Sequence, residues 1–208
     1  MTRRLTVILA TLTISACLLG CGRTRFPAYY TLHVPAAVDM PTAGDARPSL
    51  AVREFRSPEY LHQGAIVFRT SPEQVGFYLY HRWAVDPREF VTEAMIDRLR
   101  ATGRSAEVTA YDGRSDADFV LSGRLEQLEE VDYEGGVRVE VALSAQLTDP
   151  RTDKTVWANA ASESSRVEKR NVPAVVADMS QAIDRAIQKL LASLTVSTTS
   201  SLNPSLQK

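Results

Sequence analysis

Between Ala117 and Leu147 the chain alternates between apolar and polar residues with a period of two. Phe119, Leu121 and Leu125 fall on one face, and Gly123 between them marks a close backbone approach. After the glycine-containing loop Asp132-Tyr133-Glu134-Gly135-Gly136, the residues Val137, Val139, Val141, Leu143, Ala145 and Leu147 alternate with Arg138, Glu140, Ser144 and Gln146. This pattern predicts a hairpin with one wet and one buried face. Asp149-Pro150-Arg151-Thr152-Asp153 turns the chain, and Thr155 to Ser164, with Val156 and Trp157, returns as a third strand. Upstream, Tyr29 to Val34 and Leu50 to Phe55 read as strands, separated by a loop that contains Pro35, Pro41, Gly44 and Pro48. Ala65 to Arg69 and Val75 to Tyr80 flank Ser71-Pro72 as a further hairpin.

Two stretches switch to helical spacing. Asp86-Pro87-Arg88-Glu89 combines a capping carboxylate, a proline suited to the first helical position and a glutamate able to close a capping box. Phe90, Val91, Met95, Ile96 and Leu99 then follow at three and four, and Gly103 supplies the stop. From Pro173 to Leu194 the apolar stripe is Val176, Met179, Ile183, Ile187, Leu190 and Leu194. Strands and helices are partly segregated. The expectation is therefore one α+β domain over residues 29–195, an antiparallel or mixed sheet with two main helices packed on one side. Residues 196–208, rich in Ser, Thr and Asn, read as a flexible tail.

The amino terminus changes what this domain means. Met1-Thr2-Arg3-Arg4 is a short basic segment, and Leu5 to Leu19 is a 15-residue apolar run. That is the pattern of a secretory signal, shorter than the ~20 residues that span a bilayer as a helix. Leu18-Leu19-Gly20-Cys21 resembles the bacterial lipobox, in which a cysteine thiol is acylated and the peptide is cut before it. Ile14-Ser15-Ala16-Cys17 fits the same pattern. Cys21 is preferred over Cys17 because it leaves the longer apolar run and is followed by the polar start of a tether, residues 21–28. With residues 1–20 removed as the signal, Arg3 and Arg4 are lost and the formal charge moves from −1 to −3. With Cys21 lipidated, the mature chain has no second thiol for a disulfide.

Composition narrows the chemistry. With 24 Lys and Arg against 25 Asp and Glu there is no basic field to neutralise phosphates, so nucleic acid is not an expected partner. His33, His62 and His81 are scattered and predict no metal site. No phosphate-binding loop and no nucleophile elbow are present, and no cofactor is expected beyond the lipid. Asp112 to Asp118 looks like a calcium loop only superficially, since Arg114 stands where a ligand is needed; it reads as a polar turn. The acidic run Glu126, Glu129, Glu130, Asp132 and Glu134 reads as a solvated loop or as a steering patch for a basic partner. Tyr78, Tyr80, His81, Arg82 and Trp83 form the densest aromatic cluster, serving as a core lid or as a contact surface. On the second reading the partner-binding residues are Tyr78, Tyr80, Arg82 and Trp83.

The order of these features resembles the ABC-type transport auxiliary lipoproteins. The matching landmarks are the lipobox, Tyr29-Tyr30-Thr31-Leu32, Leu50 to Phe55, and Val75 to Tyr80 leading into His81-Arg82-Trp83-Ala84 and Pro87. They continue through Asp118 to Gly123, Leu147-Thr148-Asp149 and Val156-Trp157. The resemblance implies a non-enzymatic accessory of a lipid transport system, working with an MCE-domain protein, a membrane permease and an ATPase. It also implies an anchor in the outer membrane on the periplasmic face, since Gly22 rather than Asp follows the cysteine, and it allows a homo-oligomer. Two other classes stay open on the residues alone. One is an activator or scaffold of a cell-wall or secretion machine, and the other is a solute-binding lipoprotein, for which the chain is short.

Overall fold

The computed structural model describes residues 25–35, 47–114, 116–133 and 135–194. Cys17, Cys21 and the tail 196–208 lie outside them. The elements run β1 (Ala28–Tyr30), β2 (Leu50–Val52), β3 (Ala65–Ser71), β4 (Gln74–Trp83), α1 (Pro87–Ala101), β5 (Val108–Ala110), β6 (Phe119–Asp132), β7 (Val137–Asp149), β8 (Lys154–Arg166) and α2 (Val172–Ala192). A 3-10 turn, Glu59–Gln63, precedes β3. The architecture is α+β, a single mixed sheet with two helices, as the alternation predicts.

β6 organises the sheet. Along one edge it pairs antiparallel with β7, which in turn pairs with β8. Along the other edge it serves two separate limbs. β2 runs parallel to its beginning, from Leu50↔Phe119 to Val52↔Leu121, and brings β5 with it. β3 runs parallel to its end, with Phe68↔Glu130 and Arg69↔Val131, and brings β4 and then β1. Between the limbs the chain stays bonded to β6: Arg53 N–H donates to the Leu121 carbonyl at 2.8 Å, Arg56 N–H to Gly123 at 3.0 Å, and Leu125 N–H to Arg56 at 2.8 Å.

Gly123 sits under the ring of Phe55, where any Cβ would penetrate that ring. Phe55 is 1% exposed. Its N–H donates to Thr92 Oγ1 at 2.9 Å, and that hydroxyl donates to the Arg88 carbonyl at 2.7 Å, which fastens α1 over the β2 limb. Gly76 opens the same kind of space for Phe68 in the other limb.

The helices start as the sequence requires. Asp86 Oδ1 accepts from Arg88 N–H at 2.9 Å, and Gly103 takes φ 60° just beyond α1. Asn171 Oδ1 accepts from Ala174 N–H at 3.0 Å to cap α2. Met179, Ile183, Ile187 and Leu190 are all 0% exposed. They meet the alternate residues Val139, Val141, Leu143 and Leu147 of β7, each buried side chain contributing roughly 1.5–3 kcal/mol. Arg98 and Asp184, 2.5 Å apart, tie the two helices together. Among the described residues no helix is long and apolar enough to cross a membrane.

Three expectations change. Leu50 to Phe55 is a strand only over Leu50–Val52, after which the chain touches β6 again at the Arg56↔Arg124 bridge. Tyr29 to Val34 gives only the three-residue β1, because Pro35 and the departure toward α2 end its pairing with β4. The acidic run is not a solvated loop: β6 continues to Asp132, and Glu129 and Glu130 are 0% and 6% exposed inside it. A register shift between Leu125 and Gln127 leaves Glu126 bulged out of the ladder, so the alternation changes phase there.

Candidate functional site

Two surfaces of contrasting character lie at opposite ends of β6. At its carboxyl end, successive glutamates point to opposite faces. Glu129 accepts from Tyr60 Oη at 2.5 Å and from the Arg69 guanidinium, whose Nη2 lies 3.2 Å from Oε1 and whose Nε makes the closer bond to Oε2. Burial and the bond to Glu129 push the Tyr60 hydroxyl up to about 12, and the same carboxylate raises the Arg69 guanidinium above its ordinary value. On the other face Glu130 accepts from Tyr78 Oη at 2.8 Å. Burial lifts the Glu130 carboxyl above the usual range against that hydrogen bond, and Asp132 nearby adds to the rise. Burial likewise raises Tyr78, with Glu130 adding to the shift.

Aromatic rings stack outward from this point. Phe68 and Tyr78 have centroids 5.1 Å apart, Tyr78 meets His81 edge-on at 5.5 Å, and Tyr30 Oη lies 2.9 Å from His81 Nδ1. The four residues singled out in the sequence, Tyr78, Tyr80, Arg82 and Trp83, therefore share β4 but have different surroundings. Trp83 is in the core at 6% exposure, and Tyr78 is half-buried on Glu130. Arg82 is half-buried, with Nη2 donating to the Gln63 carbonyl at 2.7 Å. Tyr80 reaches solvent, with the Arg25 guanidinium 6.0 Å from its ring.

At the amino end of β6, the sheet face away from the helices forms an open groove of about 950 Å³. Arg53, Arg56 and Arg124 are exposed along it, beside Ser144 and Gln146, while Glu54 and Asp153 make its charge mixed. Arg53 stacks 3.9 Å over Tyr111, and Arg124 Nε donates to the bulged Glu126 at 2.8 Å. Sequence reasoning passes over this groove because its arginines read only as the wet positions of strands. No local signal shows that two distant segments place them together.

The stretch resembling a calcium loop has a structural task. Asp118 Oδ2 accepts from both the N–H and the hydroxyl of Ser49 at 3.0 Å, and those bonds hold its carboxyl below the usual range. This contact fixes the start of the β2 limb against β6. Among the described residues, no group of three or more His, Cys, Asp or Glu is placed to hold a metal ion.

Residues 30–190 match the family described as ABC-type transport auxiliary lipoprotein component. The chain belongs to that family. The match spans all eight strands except the first residues of β1, and it includes nearly all of α2. Membership makes the chain an auxiliary component of ABC-type transport and, as a lipoprotein, places it at the cell envelope. Solved structures share the fold of this auxiliary lipoprotein. A DUF330 protein from Xanthomonas campestris superposes with a TM-score of 0.67 at 16% identity, over 79% of this chain and 92% of that one. An uncharacterized protein superposes at 0.64 and 15% identity, over 82% and 99%. No curated protein matches the auxiliary lipoprotein in sequence.

Proposed function

We propose that this auxiliary lipoprotein is a non-enzymatic docking component of an MCE-type lipid transport system. In this reading it is held on the periplasmic face of the outer membrane by lipid on Cys21, and it receives the MCE-domain protein that works with a permease and an ATPase. The observation that carries the reading is the family match over residues 30–190, which begins nine residues beyond the lipobox-like Leu18-Leu19-Gly20-Cys21. The groove supports it: a broad polar trough bordered by Arg53, Arg56 and Arg124 suits a protein surface better than an acyl chain. Gly22 after the cysteine supports the outer membrane over the inner. Of the β4 cluster Tyr78, Tyr80, Arg82 and Trp83, only Tyr80 is exposed, so the docking surface falls on the groove rather than on that cluster. Several copies arranged around one MCE assembly fit the same role.

The test is affinity purification of the tagged full chain in mild detergent, with mass spectrometry of the co-purifying proteins and of the amino-terminal peptide. The expected result is an MCE-domain protein and an acylated Cys21. A lipidated chain that instead brings down a cell-wall synthase or a secretion subunit overturns the transport role and leaves the anchor in place.

A further inference from the structure

Six large apolar side chains are well exposed among the described residues, and five of them lie along one edge. They are Phe26 at 83%, Tyr29 at 63%, Leu79 at 81%, Tyr80 at 42% and Val85 at 47%; the sixth, Val156, is on β8. The parallel register Ala28↔His81, Tyr29↔Arg82 and Tyr30↔Trp83 sets the chain before β1 alongside the middle of β4. The Arg25 guanidinium near the Tyr80 ring confirms that alignment. The Tyr30 carbonyl accepts from Ala84 N–H at 2.8 Å, which brings Val85 to the same edge. Exposed apolar side chains gathered along one edge in this way mark a surface that is covered in use.

We infer that the β1–β4 edge lies against the surface of the bilayer that holds the lipid anchor. The inference rests on acylation of Cys21. Only Gly22, Arg23 and Thr24 separate that cysteine from Arg25. At no more than ~3.6 Å per residue, Arg25 stays within roughly 14 Å of the acylated residue. The edge that begins at Phe26 is thus held close to lipid. Its chemistry suits that neighbour: tyrosines with an apolar body and a polar tip, together with leucine and phenylalanine, are the side chains found at headgroup depth. Neither residues 25–35 nor residues 74–85 contain a carboxylate, while Arg25 and Arg82 supply cations for anionic headgroups.

The experiment uses the full lipidated chain in vesicles of phosphatidylethanolamine and phosphatidylglycerol that carry a lipid-bound nitroxide. A fluorophore is placed on a cysteine at position 79 (Leu79→Cys) or, in a separate chain, at position 156 (Val156→Cys). Both sites are exposed, so neither change disturbs packing. Quenching by the lipid nitroxide at position 79 is expected to exceed that at 156 several-fold, and Tyr29→Asp with Tyr80→Asp is expected to abolish the difference. Equal, weak quenching at both positions overturns the seating. A label at 79 that is shielded from lipid and from aqueous quencher alike also overturns it, since a protein then covers the edge. The mass of the amino-terminal peptide separates the two readings. Acylated Cys21 with position 79 unquenched leaves the anchor standing and removes the seating, whereas unmodified Cys21 overturns the anchor and, with it, the seating that rests on it.

Discussion

The two limbs on the same edge of β6 are held there by different means. The β2 limb follows β6 from Leu50 to Arg56, through three ladder pairs, the Arg53 N–H and the bridge Arg56↔Arg124, with the Phe55 ring lying on Gly123. It needs no ionic group in its core, and its outer face opens as the arginine-lined groove. The β3 limb pairs with β6 through only two residue positions. There the join is completed by side chains, Arg69 and Tyr60 on Glu129 and Tyr78 on Glu130. Two ladder positions define a register weakly, and a one-residue slip of β3 would turn Arg69 away from the face that carries Glu129. Buried charges add little net stability over an apolar core, but a misplaced one is costly. The contrast teaches that a short strand contact can be made unique by burying groups that tolerate only one partner.

The comparison can be broken at its strongest point first. Arg69→Met leaves Glu129 fully buried without its cation and is expected to cost about 3–5 kcal/mol in urea unfolding. A loss under about 1 kcal/mol would mean that Tyr60 alone suffices. Gly123→Ala drives a methyl into the Phe55 ring and should cost about 1–3 kcal/mol. Because the two groups touch, a Phe55→Leu background should absorb part of that loss, and simple additivity would refute the contact.

Glu130 gives a smaller effect with a defined pH sign. Folding raises its carboxyl above the ordinary value, so the folded chain holds that proton more tightly than the unfolded chain. Stability from this group is full below the ordinary carboxylate value and is lost as pH rises through the raised one. Glu130→Gln still accepts from Tyr78 and removes the charge. The variant is expected to be more stable than the parent at neutral pH by on the order of 1 kcal/mol. That gain should fade as pH falls below the carboxylate range, and a gain independent of pH would point elsewhere. The groove completes the series: Arg53→Ala, Arg56→Ala and Arg124→Ala should each change stability by no more than ~0.5 kcal/mol, while together lowering capture of the proposed MCE-domain partner. Unchanged capture would move the docking site off this face.

Most elements are legible in the sequence because each writes its own period. The Val137 to Leu147 alternation, the Asp86-Pro87 helix start and the α2 stripe all appear where the residues place them, and Gly123 does mark a close approach, that of Phe55. The three-residue β5 was too short to show a period. The double use of one edge of β6 depends on parallel pairings between segments far apart in the chain, which leave no local mark. The burial of Glu129 and Glu130 was hidden by the bulge at Glu126 and by a composition that resembles a wet loop. Strand length held the missing clue. β7 spans 13 residues, and an antiparallel partner joined to it by a short loop must remain in the ladder through Asp132. The aromatic cluster is legible in the sequence, but its division between core, hydrogen-bonded pair and solvent depends on the fold.

The double pairing along β6 also sets an order of assembly as the chain emerges. β2 and β3 leave the ribosome or the export channel long before β6, their common partner, so those two pairings must wait. The β3–β4 hairpin with β1, the short β2–β5 pair and α1 have partners within the part already released, but nothing yet joins the two limbs. The β6–β7–β8 meander and α2 are local in sequence and can close quickly once made, whereas the two limbs settle onto a strand that arrives late. A chain truncated at Asp118 should accordingly show no amide protection at Arg53 and Arg56, whose N–H groups donate to the Leu121 and Gly123 carbonyls, and protection there should appear only when β6 is present. β2 is thus among the first strands released and among the last to be fully paired.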